Sequence, residues 1–249
     1  MEPVKLDVGE RDIAILSAGL KVGAFQLAQQ LALDISPELA DLYTRRIHSV
    51  NRTYQYTKHA QEMLKSILEN EGEVGRTLRM MHRTDFLGRY IPEFGGLTCL
   101  VQHEFFHRYT ADEHTLVCIE KLDALRETAN PKLMPYRTLL DELAEPLVLY
   151  LALLLHDTGK AVGARPHSEA SALFAQRVAA RLQLSSEQRK SLILLVDHHL
   201  TLSNLAQQRN LDDPETALEL PKIVNDHKNL DALMLLTLAD GQGPSVGAR

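Results

Sequence analysis

Hydrophobic positions dominate one stretch of the chain, residues 145–160, more completely than any other. Pro146 is followed by nine uncharged residues, 147–155, so a helix here has no polar face and belongs in the core. Proline is favoured in the first turn of a helix and glycine beyond its end, so Pro146 and Gly159 mark the limits. The pattern predicts a buried helix that presents His-Asp-Thr-Gly-Lys, residues 156–160, at its C-terminal end.

The rest of the chain shows helical spacing of apolar residues interrupted by turn and capping residues. The first such segment, residues 10–32, is a predicted helix with Leu27 and Leu31 on its apolar face. Ser36, Thr110, Ser185 and Asn229 each stand where a helix N-cap is expected, and the segments that begin at Thr110 and Ser185 have the spacing of a capping box. Alternating runs of β-branched residues, which are typical of strands, are not found. The pattern therefore predicts an all-α protein.

Composition narrows the class of protein. The 249 residues include 33 acidic and 27 basic ones, a net charge of −6, which argues against an electrostatic nucleic-acid binder. No apolar stretch reaches the ~18 residues of a membrane span, and the N-terminus lacks the features of a signal peptide. Cys99 and Cys118 lie among apolar residues and are interpreted as reduced core residues. We expect a cytoplasmic protein that binds neither nucleic acid nor membrane.

Ligand-type side chains recur at the ends of the predicted helices. An imidazole and a carboxylate buried together without a partner are costly, and a divalent cation compensates both. An adjacent His-Asp pair also lets one carboxylate bridge two ions. A single histidine near an apolar helix is more often a core or surface residue, but six ligand-type residues at helix ends favour a metal site. They are His114, His156, Asp157, His167, His198 and Asp240.

The order His…His-Asp…His…His…Asp resembles the HD superfamily of metal-dependent phosphohydrolases. A narrower resemblance covers most of residues 36–240. Residues 72–115, His-Ser-Glu at 167–169, His-His-Leu at 198–200 and Ala-Gln-Gln-Arg at 206–209 look like the HD region of bacterial PII uridylyltransferase/uridylyl-removing enzymes. The segment that ends in Tyr-Thr-x-Asp-Glu-His-Thr is the most specific of these motifs. The fold that this implies is an HD-domain helical bundle.

The resemblance implies a centre with one or two divalent ions, Mn, Fe, Mg or Zn. A first ion would be held by His114, His156, Asp157 and Asp240. A second would be held by Asp157, His167 and His198. Adjacent helical residues point about 100° apart, so we do not expect His199 to bind the same ion as His198.

Four further residues have expected roles towards a substrate. Lys160, with Asp157, is assigned to catalysis and would neutralise the phosphate, although a solvated lysine at a helix end explains the same position. His103 and His107 share a helix face and line the pocket, where they contact substrate, protonate a leaving oxygen or have a structural role. Arg209 either holds a phosphate or lies on the surface.

The resemblance implies phosphodiester hydrolysis: removal of UMP from a tyrosine of the PII signalling protein of nitrogen regulation. The chain lacks Asp-x-Asp, so we expect no nucleotidyltransferase module. We divide it into an N-terminal helical extension (1–70), the HD domain (71–240) and a flexible tail (241–249). Three alternatives stay open: a nucleotide or dinucleotide phosphohydrolase, an HD-fold oxygenase, and a non-catalytic regulatory module whose N-terminal helices dock a partner or form a homodimer.

Overall fold

A computed structural model describes residues 5–6, 22–101, 110–163, 166–208, 221 and 223–241. The predicted tail, apart from its first residue, and the first part of the predicted helix at residues 10–32 lie outside the described residues. Within the described residues the protein is almost entirely helical, and the prediction of an all-α fold is confirmed. None of the helices described is long and apolar enough to cross a membrane.

Short helices form the N-terminal part of the protein. They are α1 (Gly23–Gln30), α2 (Pro37–Arg46), a 3-10 turn (Ile47–Ser49), α3 (Arg52–Gln55), α4 (Lys58–Glu69), α5 (Val74–Arg83), α6 (Phe86–Tyr90) and α7 (Pro92–Gly95). Two short strands, β1 (Lys5–Leu6) and β2 (Asp34–Ile35), pair in parallel. Helix α2 begins as predicted, because the Ser36 side chain accepts a hydrogen bond from the Leu39 amide at 3.2 Å.

Longer helices form the remainder. They are α8 (Ala111–Leu125), α9 (Met134–Asp141), α10 (Pro146–Leu155), a 3-10 turn (Thr158–Val162), α11 (His167–Arg181), α12 (Ser186–Asp197), α13 (Thr201–Gln208) and α14 (His227–Gly241). Ser185 and Gln188 form the predicted capping box at the start of α12. Apart from α9, each of these helices begins or ends close in sequence to a histidine or aspartate of the ligand type.

Helix α10 is the centre of the fold. All nine of its residues after Pro146 are buried, as the uncharged pattern predicts. It packs against α4, α8, α12 and α14. Because α10 contacts helices from both parts of the chain, it holds the N-terminal and C-terminal helices around one core.

The N-terminal helices contribute to this same core. Phe25 of α1 lies 4.7 Å from the ring of Tyr43 and 5.1 Å from that of Phe86, so aromatic side chains join α1, α2 and α6. Leu27 is 44% exposed and Leu31 is 56% exposed, although the spacing placed both on the apolar face of the helix. The boundary at residue 70 stays a prediction.

Two helix starts differ from the prediction. Thr110 is the N-cap of α8, as predicted, but its side chain makes no capping bond, and the carboxylate of Glu113 pairs with Arg79 at 2.8 Å. In α14 the capping carboxylate is that of Asp226, which accepts a hydrogen bond from the Asn229 amide at 2.8 Å. The predicted capping box at Thr110 is therefore not formed, and the predicted cap at Asn229 was wrong.

The two cysteines have different environments. Cys118 is fully buried in α8, as predicted. Cys99 is exposed, so its prediction as a core residue was wrong. It lies in the turn after α7 with a φ of 58°, and its amide donates to the carboxylate of Asp112. This turn directs the Cys99 side chain towards solvent.

Candidate metal centre

The end of α10 delivers the first two side chains of the centre. The helix stops at Leu155, and His156 is its C-cap. His156 is completely buried and Asp157 is 3% exposed. The Nδ1 of His156 donates to the Leu153 carbonyl at 2.7 Å, which turns Nε2 towards the carboxylates. The apolar helix therefore carries a fixed imidazole and a carboxylate to one buried point.

A first group of ligands forms where α8, α10 and α14 meet. His114, in the first turn of α8, has its Nε2 at 2.9 Å from the Oδ1 of Asp240. The Nε2 of His156 lies 3.6 Å from this same oxygen. The ligand atoms of the three side chains all lie within 4.8 Å of one another. Residues from three separate helices thus surround a space of the size of one ion.

A second group adjoins the first through Asp157. The Oδ1 of Asp157 lies 3.4 Å from the Nε2 of His167, and 3.9 Å from the Nε2 of His199. The two imidazole nitrogens are 3.3 Å apart. The other oxygen of Asp157 is 3.4 Å from the Nε2 of His156. Asp157 therefore stands between the two groups, in the bridging position expected of it.

His199, and not His198, belongs to this second group. The Nδ1 of His199 donates to the Val196 carbonyl at 2.7 Å, so its Nε2 faces His167. His198 lies 3.3 Å from the hydroxyl of Thr201 and lines a groove between α12 and α14. The sequence pattern had predicted His198 as a ligand of the second ion. The chain leaves helical geometry at this point, and His199 follows the C-cap, which the spacing of the sequence alone does not resolve.

A close approach of two backbones places His167 beside Asp157. A Cβ on Gly159 would lie 2.1 Å from the carbonyl oxygen of His167, so only glycine fits at this position. The Gly159 amide also donates to the hydroxyl of Ser171 at 2.8 Å. The glycine that the sequence interpreted as a helix stop therefore lets α11 pack directly against the 3-10 turn.

The centre attracts positive charge. Burial by itself would lower the pKa of His156, but the carboxylates of Asp157 and Asp240 outweigh burial and raise this pKa to about 10. Against the effect of burial, the neighbouring histidines hold the pKa of both carboxyl groups well below the usual range. Burial, followed by the charge of His156, lowers the pKa of His199 to about 4. At neutral pH His199 is thus an uncharged imidazole beside a carboxylate.

Lys160 supplies a second positive charge. Its Nζ lies 2.6 Å from the Oδ2 of Asp157, and its side chain is about one-fifth exposed. It is therefore paired with the buried carboxylate rather than extended into solvent.

The residues present fit a divalent cation. The Nε2 of His156 is buried and makes no hydrogen bond to any described residue, which is costly for a polar atom. The Nδ1 atoms of His156 and His199 both donate to backbone carbonyls, an arrangement that orients metal-binding imidazoles. Imidazole and carboxylate ligands suit Zn, Fe and Mn. The six converging residues are His114, His156, Asp157, His167, His199 and Asp240.

The structure does not describe three other predicted site residues, His103, His107 and Arg209, so their roles stay predictions. One neighbour was missed: the Sγ of Cys118 lies 3.5 Å from the Nε2 of His114. Burial, and then the carboxylates of Asp240 and Asp157, raise the pKa of this thiol. The spacing of four residues between His114 and Cys118 was the signal available in the sequence.

Comparison with known proteins identifies the class. Residues 111–236 match the family model of the HD domain, and the chain belongs to this family of metal-dependent phosphohydrolases. The sequence-based assignment to the HD superfamily is confirmed.

Its relatives carry one particular name, bifunctional uridylyltransferase/uridylyl-removing enzyme. The protein of this name from Cereibacter sphaeroides is 35% identical over 227 residues, which is 90% of this chain and 24% of the relative. That from Ectopseudomonas mendocina is 41% identical over 67% of this chain and 19% of the relative. That from Ruegeria pomeroyi is 32% identical over 97% and 27%, respectively. The chain thus spans about a quarter of the length of these relatives.

Proposed function

We propose that this chain is a metal-dependent phosphodiesterase that removes UMP from uridylylated PII signalling protein. The observation that carries the proposal is the pair of ligand groups joined at Asp157, in a chain 35% identical to a protein named as a uridylyl-removing enzyme. A divalent ion held there supplies a nucleophile near neutral pH by lowering the pKa of water, and it neutralises charge on phosphoryl oxygens.

The proposal assigns the residues to two positions. A first ion would be held by His114, His156, Asp157 and Asp240. A second would be held by Asp157, His167 and His199, with His199 in place of His198. The proposed ions are Zn, Mn or Fe, because all three accept imidazole and carboxylate ligands.

Residues of the chain itself prepare the centre for the reaction. The Leu153 and Val196 carbonyls fix the orientation of His156 and His199, so these imidazoles need no reorganisation. Lys160, 2.6 Å from Asp157, is placed to neutralise a phosphate bound beside that carboxylate. We assign Lys160 to substrate orientation and charge neutralisation, and Asp157 to holding the reactive centre together.

Release of UMP from uridylylated PII tests the proposal. The protein is reconstituted with Mn²⁺ or Fe²⁺, and UMP is measured by chromatography. The control is Asp41→Asn, which changes an exposed carboxylate paired only with Arg45 at the surface. Wild type and the control should release UMP, whereas Asp157→Asn should not. No release by wild type from uridylylated PII, together with hydrolysis of a small nucleotide, would instead establish a nucleotide phosphohydrolase.

Metal analysis separates the enzyme from a regulatory module. After reconstitution, an enzyme of the proposed kind holds at least one equivalent of ion. A protein that folds normally but retains less than one equivalent would be a helical scaffold for a partner.

A further inference from the structure

Cys118 lies against the first ligand group without belonging to the set assigned above. It stands one helical turn after His114 on α8 and is fully buried. Its Sγ is 3.5 Å from the Nε2 of His114 and 3.9 Å from the Nδ1. A thiol thus touches the imidazole nitrogen that faces Asp240.

The 3.5 Å separation between the sulfur of Cys118 and the Nε2 of His114 equals that of two ligands of one zinc ion. In a tetrahedral zinc site with a Zn–N bond of about 2.0 Å and a Zn–S bond of about 2.3 Å, nitrogen and sulfur lie about 3.5 Å apart. The distance to Nδ1 shows that the sulfur lies beside the ring rather than in front of Nε2. Rotation about the Cα–Cβ bond of Cys118 is therefore the movement that ligation requires, and the bond rotates between staggered positions.

The surroundings independently indicate a cation at this place. The Nε2 of His156 is buried, has no hydrogen-bond partner among the described residues and lies 3.6 Å from the carboxylate of Asp240. An ion bound between His114, His156 and Asp240 would therefore have the sulfur of Cys118 as a neighbour.

We propose that Cys118 is an additional ligand for thiophilic cations, zinc or cadmium, which the centre binds through Cys118, His114, His156 and Asp240. The inference rests on the metal centre of the proposed function and adds a second binding mode to it. On binding, the S–H bond breaks, a sulfur–metal bond forms and the proton passes to solvent, with no change of oxidation state. Manganese prefers oxygen and nitrogen ligands and leaves the thiol unused.

The expected consequence is selectivity between metals. Zinc or cadmium, held by Cys118 and the three side chains of the first group, would be bound more tightly than manganese. It would also draw His114 and Asp240 towards the sulfur. Such ions should therefore displace manganese.

Cadmium titration of the metal-free full chain tests the proposal. Sulfur-to-cadmium charge transfer absorbs in the ultraviolet and reports the thiolate directly. The chain contains only two cysteines, so Cys99→Ser is the matched control. Wild type and Cys99→Ser should show the band at one equivalent, whereas Cys118→Ser should lack it. The ratio of cadmium to manganese affinity should fall about tenfold or more in Cys118→Ser.

A second measurement does not depend on the folding of a Cys118 variant. In zinc-loaded Cys99→Ser protein, Cys118 is the remaining thiol, and X-ray absorption should show a sulfur neighbour at about 2.3 Å. Zinc or cadmium bound by wild type with no sulfur neighbour and no charge-transfer band would overturn the inference.

The same samples distinguish this failure from failure of the proposed function. Release of UMP by manganese-loaded wild type with no cadmium–sulfur band would remove the inference alone. A cadmium–sulfur band in a protein that releases no UMP would remove the proposed function alone.

Discussion

Two buried carboxylates show what separates a structural from a functional acid: Asp123 lies beside Tyr150 in the middle of α10, and Asp157 lies just beyond the C-terminal end of this helix. Asp123 accepts hydrogen bonds from the Tyr150 hydroxyl at 2.6 Å, the Gly75 amide at 2.6 Å and the Gly72 amide at 3.1 Å. Its neighbours are uncharged donors that join α8 to α5 and α10.

The neighbours of Asp157 are instead three histidines and Lys160. Burial raises the pKa of Asp123 to about 6, whereas the charge of His156 and Lys160 holds the pKa of Asp157 far below its usual range against burial. A carboxylate satisfied by amides and a hydroxyl holds helices together. A carboxylate surrounded by imidazoles and an ammonium group is prepared for a cation.

The largest expected effect is on metal binding when Asp157 is changed. Asp157→Asn should lower metal affinity more than about 100-fold, because loss of even an outer partner of a metal ligand costs about 10–100-fold. UMP release should disappear with the metal. Equilibrium dialysis with metal analysis measures the affinity, and circular dichroism verifies the fold. Normal metal content in this variant would contradict the role assigned to Asp157.

Removal of the Asp123 carboxylate should lower the stability of the fold and leave metal binding unchanged. Asp123→Ala leaves the Tyr150 hydroxyl and two amides buried without their acceptor, and we expect a loss of about 3 kcal/mol in the free energy of unfolding. Urea denaturation of the metal-free protein measures it. Metal affinity of the folded protein should stay within about twofold of wild type, because Asp123 contacts no ligand. A large loss of affinity would remove the distinction between the two acids.

The pH dependence of stability should carry a signature of Asp123. Its pKa is raised from 3.8 to about 6 in the folded protein, so the folded state binds the proton more tightly than the unfolded state. Its contribution to stability is therefore fully present below about pH 4 and is lost as the pH rises through about 6, by about 3 kcal/mol.

Comparison with Asp123→Asn isolates this contribution, since asparagine does not titrate. Denaturation curves between pH 4 and 7 should show that the difference in stability between wild type and variant changes over this window. A difference that is independent of pH would show that Asp123 has an ordinary pKa in the folded protein.

The smallest expected effect concerns the contact that supports His167. Ser171→Ala removes the acceptor of the buried Gly159 amide, and we expect a loss of about 1 kcal/mol in stability. Occupancy of the second ion should weaken while that of the first is retained, because Ser171 supports His167 and does not support His114. Titration followed by metal analysis measures the two equivalents separately. Equal weakening of both would show that Ser171 acts on the whole fold.

The pattern of hydrophobic residues was sufficient for the core and for part of the centre. An uncharged run of nine residues has only one stable placement, inside the protein, and His156 and Asp157 follow it directly. The polar residues at other helix ends were recognisable by type. The start of α8 at Ala111 also places His114 in its first turn, as predicted.

Other features depend on atoms that the sequence does not bring together. The carboxylate of Glu113, which the predicted capping box at Thr110 requires, pairs with Arg79, and Asp226 rather than Asn229 caps α14. The choice between His198 and His199 depends on backbone angles just beyond the end of α12. Whether the pair His114 and Cys118 faces the centre depends on which face of α8 turns towards α14.

The sequence by itself determined that this protein is helical, that α10 is buried, and that imidazoles and carboxylates lie at helix ends, because burial of apolar side chains follows from their spacing. Only the tertiary structure decided which of these groups meet. Distances of about 3–4 Å between side chains at the ends of five different helices result from how the helices pack, and close packing depends on the whole set of neighbours rather than on any one segment.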